Sequence, residues 1–307
     1  FYSSHTYDMI LSYKIHNVAP YINWIYFFHA WGFQPRFAAI ANIHGCDVCR
    51  ASWLTTFPEE DRSKASEAMQ LFKEANRMLD SLDKDYEVKT IFKLCKANSD
   101  GDNLVIEKGT NQSIIFPLLR QQTPKRDGSP FLCLSDFIRP LSSGIPDTIG
   151  AFASSIDADM EGLYQAPYKH LLVQPLPARL AEAATEKMHE YVRKEAWGYA
   201  KDESLSMSDL LVEKYQGIRP AVGYPSLPDQ SINFLLDELL DLHQIGLTLT
   251  ENGAMYPHAS VCGLMFAHPA SEYFSVGKIG EDQLEDYARR RGKSMEEMRK
   301  FLAANLQ

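Results

Sequence analysis

Residues 90–106 read Thr-Ile-Phe-Lys-Leu-Cys-Lys-Ala-Asn-Ser-Asp-Gly-Asp-Asn-Leu-Val-Ile, two strand-like runs joined by a polar turn. Residues 90–95 and 104–106 are predicted strands, and the Asn, Asp and Gly residues at 98–103 are typical of a hairpin turn. Further strands are predicted at residues 114–116, 131–134, 149–156, 247–251, 260–266 and 273–279. Because the strands occur in groups and do not alternate one for one with helices, the sequence predicts an α+β fold around a largely antiparallel sheet.

Helices are predicted to flank this sheet. Apolar residues recur at three- and four-residue steps over residues 61–82, which indicates an amphipathic helix. A second long helix is predicted at about residues 178–197, where Glu182, Glu186 and Glu190 form an acidic ridge that we interpret as a solvated face. Capping residues and glycines predict shorter helices from Ser206 to Gly217 and from Asp229 to Gly246, and two more close the chain.

Composition limits the class of protein. The 307 residues are 45% hydrophobic, enough for a full core, and without an internal repeat or linker they favour one domain. Residues 1–35 are rich in aromatic side chains and are interpreted as an N-terminal arm of the same domain as residues 36–307. The net charge of −9 argues against nucleic acid or an anionic membrane as a partner. No apolar run approaches the ~18 residues that span a bilayer.

The cysteines and the first residues indicate the setting of the chain. Its five cysteines are irregularly spaced and odd in number, as expected of reduced thiols in the cytoplasm. The chain begins Phe-Tyr-Ser-Ser and not with Met, so we expect a fragment of a larger protein.

Residues 217–225, Gly-Ile-Arg-Pro-Ala-Val-Gly-Tyr-Pro, hold the strongest functional signal and are called the ribbon below. Arg219 and Tyr224 each precede a proline, which disfavours helical backbone. The sequence therefore predicts an exposed, extended ribbon that aims the Arg219 guanidinium and leaves the amides beside Ala221 and Gly223 free. Such a ribbon suits a small ligand with a carboxylate and a flat ring. An ordinary loop is the alternative.

Motifs of other enzyme classes are missing from the sequence. There is no G-x-G-x-x-G after a strand, no P-loop and no H-E-x-x-H, which argues against an ordinary Rossmann-type dehydrogenase or methyltransferase. No residue is assigned a catalytic role. His44, Cys46 and Cys49 offer three soft metal ligands, but a closed zinc site needs four and no second pair has the right spacing. A reduced loop without metal is therefore the favoured interpretation.

Longer motifs follow one another from Tyr21 to Leu306, across nearly the whole chain. They are Tyr21-Ile-Asn-Trp24, Arg219-Pro-Ala-Val-Gly-Tyr-Pro225, Pro257-x-Ala-Ser-Val-x-Gly263, Tyr273-Phe-Ser-Val276 and Gln283-x-Glu-Asp-Tyr-Ala288. In this order they resemble the C-terminal activation domain of cobalamin-dependent methionine synthase.

The resemblance implies a C-shaped single α+β domain with a twisted antiparallel sheet. It implies that S-adenosylmethionine binds along the ribbon and that its methyl group is presented to cobalamin, held by a partner domain, during reductive reactivation of cob(II)alamin to methylcobalamin. Flavodoxin or a flavoprotein reductase would supply the electron. The chain would then be a module of a methyltransferase, without the homocysteine, folate and cobalamin domains. The alternative is an interaction module that recruits the electron-donor flavoprotein and has weakened ligand binding.

The resemblance also implies roles for single residues. Arg219 would hold the ligand carboxylate, the Ala221 backbone would meet the adenine, and Gly223 and Tyr224 belong to the same ribbon. Tyr273, beside Phe274, would reach the amino-acid end.

Four further features bear on this resemblance. Glu182 and Glu213 would lie near the sulfonium and favour its charge. Asn23 stands where the family has an aspartate, so it keeps an acceptor oxygen but loses the negative charge. Residues 40–57, with the Cys46 and Cys49 pair, form an insertion that the resemblance does not explain. The basic run at residues 289–293 is either a helix C-terminus or a docking patch for an acidic reductant.

Overall fold

The computed structural model of the chain describes residues 7–163 and 175–306, so the first six residues of the expected arm lie outside the described part. Its strands are β1 (Tyr7–Lys14), β2 (Glu87–Asp100), β3 (Asn103–Gly109), β4 (Gln112–Pro117), β5 (Asp147–Ile156), β6 (Thr248–Leu249), β7 (Met255–Tyr256) and β8 (Ser260–Met265). Its α-helices are α1 (Ile15–Val18), α2 (Trp24–Ala30), α3 (Asp47–Thr55), α4 (Glu59–Leu82), α5 (Ala158–Gly162), α6 (Pro175–Tyr191), α7 (Met207–Leu211), α8 (Ile232–Leu240), α9 (Glu281–Arg291) and α10 (Met295–Phe301).

The main sheet is built around the long strand β2 and has the order β4-β3-β2-β5-β8. Along one edge β2 pairs with β5, from Val88 opposite Ile156 to Ala97 opposite Asp147. Along the other edge it pairs first with β1 and then with β3. All these pairings are antiparallel, as are those of β3 with β4 and β5 with β8. The predicted α+β fold with an antiparallel sheet is therefore confirmed.

Helices cover both faces of the sheet. On one face α6 packs across β2, β5 and β8, together with α1, α2 and α4. On the other face α8 packs against β4, β5 and β8. Almost every residue of β5 is buried, which explains why small and apolar residues fill positions 149–156 on both faces of the strand. A smaller cluster of buried residues forms where α9 meets α10.

Two predicted strands are wrong. Residues 131–133 are irregular and lead into a 3₁₀ turn, because Leu132 N–H donates to the side chain of Gln121 and Cys133 N–H to that of Asp136. Residues 273–279 are also irregular. Phe274 N–H donates to the Ser226 hydroxyl, and Val276 N–H donates to a carbonyl of the ribbon, so neither bonds to a neighbouring strand.

The predicted helices differ from the observed ones mainly in length. The helix capped by Ser206 ends at Leu211 and not at Gly217. The helix after Asp229 ends at Leu240, and Gly246 instead ends a separate 3₁₀ turn. The helix predicted at residues 178–197 is α6, followed by a π-helical turn over Val192–Ala196.

The basic run at residues 289–293 forms the last turn of α9 and the residues that follow it. Arg290 donates to Asp286, to Asn103 and to a backbone carbonyl, and its side chain is 14% exposed. Arg291 is 5% exposed and donates to Ser231. The docking interpretation is therefore wrong for Arg290 and Arg291, since both side chains are largely buried and bond to groups within the domain.

Candidate functional site

A cleft of about 930 Å³ opens between α6 and the ribbon, within the usual size of small-molecule sites. Its walls come from α2 and the turn before it, from α6, from the segment after α7, and from residues 273–275. The predicted site residues that line it are Asn23, Glu182, Glu213, Arg219, Ala221, Tyr224, Tyr273 and Phe274. Gly223 does not line the cleft.

The ribbon forms the floor because it pairs with β8 as an additional edge strand. Val222 N–H donates to Cys262 O at 2.9 Å, and Leu264 N–H donates to Pro220 O at 3.1 Å. A Cβ on Gly263 would lie 2.3 Å from Pro220 O, so only glycine permits this close approach. The ribbon is thus fixed to the central sheet.

This pairing decides which ribbon amides a ligand can reach. In an antiparallel pair successive N–H groups point to opposite edges, so those of Arg219 and Ala221 point away from β8. Arg219 N–H donates to the Tyr273 hydroxyl at 2.9 Å. Ala221 N–H has no acceptor among the described residues, whereas Gly223 N–H donates to Leu227 O at 2.9 Å. The expectation of free amides therefore holds for Ala221 and is wrong for Gly223.

The Arg219 guanidinium is neither exposed nor free. Its side chain is 11% exposed, and Nη2 donates to Glu186 Oε2 at 2.5 Å. Nη1 donates to the Tyr215 hydroxyl. Glu186 is 6% exposed, so the acidic ridge of α6 turns into the cleft wall and is not the solvated face that the sequence predicted. Burial raises the pKa of the Glu186 carboxyl above its ordinary value, and the charge of Arg219 offsets this only in part.

Behind this pair lies a buried polar network that sequence reasoning missed. Arg193 is fully buried, pairs with Glu203 through two hydrogen bonds of 2.9 and 2.7 Å, and lies 3.9 Å from the centre of the Tyr215 ring. It also lies 2.9 Å from His189 Nδ1. Burial, followed by the charges of Arg193 and Arg219, holds the pKa of His189 well below its ordinary value. His189 is therefore neutral, and its Nδ1 accepts from the guanidinium.

The helical spacing of Glu186, His189 and Arg193 was the available signal for this network. Residues three and four apart share one face of a helix, so these three side chains had to lie together. The network holds Tyr215 between two guanidinium groups, and Tyr215 in turn holds Arg219. It therefore fixes the position of the arginine that faces the cleft.

Two further carboxylates line the cleft. Glu182 Oε1 accepts from the Tyr224 hydroxyl at 3.0 Å, and the charge of Glu182, followed by burial, raises the pKa of Tyr224 to about 12. Glu213 is exposed and has a φ of 61°, in the left-handed region that a residue with a Cβ adopts at a cost of roughly 1–2 kcal/mol. Local strain of this kind is often found at binding sites.

The remaining predicted residues also have structural partners. Asn23 is the N-cap of α2, and its Oδ1 accepts from Ile25 N–H at 3.1 Å. Tyr273 holds the Arg219 amide, and burial raises the pKa of its hydroxyl. Phe274 is held through its backbone by Ser226. Among the described helices, none carries an apolar stretch long enough to cross a bilayer.

Fold and site together define an α+β domain with a ligand-sized cleft between an edge ribbon and a helix that carries carboxylates. Residues 14–292 match the family described as "Vitamin B12 dependent methionine synthase, activation domain". The chain belongs to this family, which confirms the resemblance seen in the sequence.

A solved structure supports the same assignment. The crystal structure of the MetH reactivation domain bound to AdoHcy is 38% identical to this chain and superposes with a TM-score of 0.85. The match covers 99% of this chain and 91% of that one.

Proposed function

We propose that this domain binds S-adenosylmethionine in the cleft and presents its methyl group to cobalamin during reductive reactivation of methionine synthase, from cob(II)alamin to methylcobalamin. The observation that carries the proposal is the open Ala221 amide on the same rigid ribbon as the Arg219 guanidinium. The AdoHcy bound by the 38% identical reactivation domain supports it.

The charges around Arg219 fit the amino-acid end of such a ligand. Arg219 and Glu186 place a cation and an anion side by side, which complements a zwitterion with one carboxylate and one ammonium. Glu186 Oε1 is buried and has no hydrogen-bond donor among the described residues. Since this oxygen is buried, Glu186 would attract a ligand ammonium through its charge. In this arrangement Glu186 supplies the negative charge that Asn23 lacks.

The other residues of the cleft would orient the rest of the ligand. The Ala221 amide is placed to donate to the adenine, and Glu182 and Glu213 are placed to favour a positive sulfonium. The ligand would supply a methyl group that is already electrophilic, so the chain needs no general acid or base. The task of these residues is placement, which alone can accelerate a reaction by many orders of magnitude.

The proposal includes the partners of this domain. Residues 1–35 and 36–307 would act as one domain, which the pairing of β1 with β2 supports. Its partners would be the cobalamin-binding domain of methionine synthase and a flavodoxin or flavoprotein reductase, in the cytoplasm. The competing function is an interaction module that recruits the flavoprotein. Asn23 favours it, since the loss of a negative charge at this position reduces the attraction for a ligand ammonium.

Calorimetric titration with S-adenosylmethionine tests the site. Arg219→Lys keeps a charge beside Glu186 but loses the planar fork, so we expect affinity to fall at least about tenfold. The matched control is Arg289→Lys on the exposed end of α9, which should bind like the parent. Unchanged affinity in Arg219→Lys would exclude this site, and a parent chain that does not bind would favour the interaction module.

Methyl transfer is tested by mixing the chain with a cobalamin domain, a one-electron reductant and S-adenosylmethionine labelled in its methyl group. The label should appear on cobalamin and only when that domain is present. Label on homocysteine in the absence of cobalamin would identify an independent methyltransferase and overturn the proposal.

A further inference from the structure

The segment at residues 40–57 is firmly attached to the domain. Ile40, Trp53 and Phe57 are 2%, 6% and 8% exposed, and the Phe57 ring stacks on Phe37 with centroids 5.2 Å apart. Trp53 meets the same Phe57 ring edge-on at 4.9 Å. The turn at residues 43–46 is therefore presented by two anchored elements, the 3₁₀ segment Pro35–Asn42 and helix α3.

Three soft ligands converge on this turn. One ligand atom each from His44, Cys46 and Cys49 lies within 4.8 Å of the other two. Cys46 is the N-cap of α3, and its Sγ accepts from Cys49 N–H at 3.3 Å. Cys46 N–H in turn points to His44 Nδ1 at 3.4 Å. Both thiols are free and partly exposed, and His44 is exposed, so an ion can reach all three.

We propose that His44, Cys46 and Cys49 bind a divalent metal ion of the zinc class, with a fourth coordination position open to water or to a partner. In tetrahedral geometry, sulfur ligands at about 2.3 Å from zinc lie roughly 3.8 Å apart. Since the ligand atoms lie within 4.8 Å of one another, the site needs a closure of at most about 1 Å, which rotation of exposed side chains provides. Two thiolates would neutralise the ion, and binding would release their two protons to solvent.

The convergence of three groups favours a metal over a disulfide. A Cys46–Cys49 disulfide would involve both sulfurs but would not explain why a ring nitrogen of His44 lies beside them. Two cysteines and one histidine with an open fourth position are an established zinc ligand set. None of the three residues lines the ligand cleft, so the site is distinct from the one described above. An ion there would clamp the turn onto the N-terminus of α3.

Titration of the chelator-treated chain with Co²⁺ tests the proposal, because cobalt replaces zinc and reports thiolate ligands by charge-transfer absorption. We expect one Co²⁺ per chain with such a band. Cys46→Ser and Cys49→Ser should each reduce the band to about half or abolish it, since each removes one of two thiolates. His44→Gln should keep the band but weaken affinity by at least about tenfold. The matched control is Cys95→Ala, a buried thiol on β2 that should change nothing.

Thermal unfolding with and without Zn²⁺ gives a second measurement that does not depend on colour. An ion that binds the folded state raises its stability, so Zn²⁺ should raise the Tm of the parent and of Cys95→Ala but not of Cys46→Ser. A parent without a charge-transfer band, or an unchanged band in Cys46→Ser, would overturn the proposal. The proposal would also be overturned if the reduced chain binds no Co²⁺ and forms a Cys46–Cys49 disulfide on exposure to air.

Discussion

Replacing Arg219 with alanine should destabilise the fold, in addition to removing the proposed carboxylate contact. Glu186 is 6% exposed, and the Arg219 guanidinium at 2.5 Å compensates its charge. Removal of one partner from a buried pair leaves an uncompensated charge and costs about 3–5 kcal/mol. We expect a loss of this size in the free energy of unfolding of Arg219→Ala at neutral pH.

The double variant Arg219→Ala/Glu186→Gln separates the charge from the packing. It leaves a neutral amide with unsatisfied hydrogen bonds, which costs about 1–3 kcal/mol. The double variant should therefore be more stable than Arg219→Ala by about 2 kcal/mol, although it carries one more substitution. This result would show that Arg219 stabilises the fold because it compensates the charge of the buried Glu186.

The stability of Arg219→Ala should depend on pH. Burial already raises the pKa of Glu186, and the charge of Arg219 works against this rise, so loss of Arg219 raises the pKa further. A carboxyl whose pKa is higher in the folded than in the unfolded state binds its proton more tightly when folded. Stability then falls as pH rises through the folded pKa. Acidification should therefore reduce the difference in free energy of unfolding between Arg219→Ala and the parent. Adding Glu186→Gln should remove this pH dependence.

Urea unfolding followed by circular dichroism measures these quantities for the parent, both single variants and the double variant at several pH values. Equal slopes against urea would show that the four unfolding transitions are comparable. Effects of the single changes that simply add in the double variant would refute the coupling of the two side chains. A stability gap that is the same at acidic and neutral pH would refute the assignment of the cost to the Glu186 charge.

Substitutions at three other positions, Asn23, Glu213 and Gly263, test the role of each residue. Asn23→Asp keeps the cap of α2 and should strengthen S-adenosylmethionine binding by about 0.5–1 kcal/mol. Asn23→Ala loses the cap and should reduce the free energy of unfolding by about 1 kcal/mol. If calorimetry shows no gain in affinity for Asn23→Asp, Asn23 serves only as a helix cap. The free energy of unfolding of Glu213→Gly should exceed that of Glu213→Ala by about 1 kcal/mol, because only glycine relieves the φ of 61°. Both variants should bind the ligand more weakly than the parent. Equal stability of the two variants in urea would argue against strain at this position. Gly263→Ala should reduce the free energy of unfolding by about 1–3 kcal/mol and weaken ligand binding, because its Cβ would clash with Pro220 O. The control is Gly109→Ala, whose Cβ would enter open space. Similar losses of stability in the two variants would exclude the clash as the cause.

Much of the fold could be predicted because apolar patterning records burial. The helix at residues 61–82 and the strands at 149–156 and 260–266 were predicted close to their observed bounds. The strands predicted at 131–134 and 273–279 were wrong for a different reason. Their sequences have the apolar and aromatic composition of strands, but their amides bond to side chains and distant loops. Local sequence carries no record of those partners.

The site was predictable where it depends on backbone and less so where it depends on charge. Prolines and glycines fix the ribbon locally, so its position at the cleft could be expected. Glu186 has the same helical spacing whether it faces water or a cleft, and its partner Arg219 lies 33 residues away. The ligand roles of Asn23, Glu182 and the ribbon residues stay predictions.

The pairing of the ribbon with β8 has a consequence for deuterium exchange. Val222 and Leu264 N–H groups are held in bonds between the two segments, so they can exchange only when the ribbon separates from the central sheet. Ala221 N–H, with no acceptor among the described residues, should exchange early. One fast amide directly before the slow amide of Val222 would then mark the cleft floor, and slow exchange at Ala221 would report a bound ligand. Because the ribbon is bonded to the central sheet, this floor should keep its position when a ligand enters or leaves the cleft.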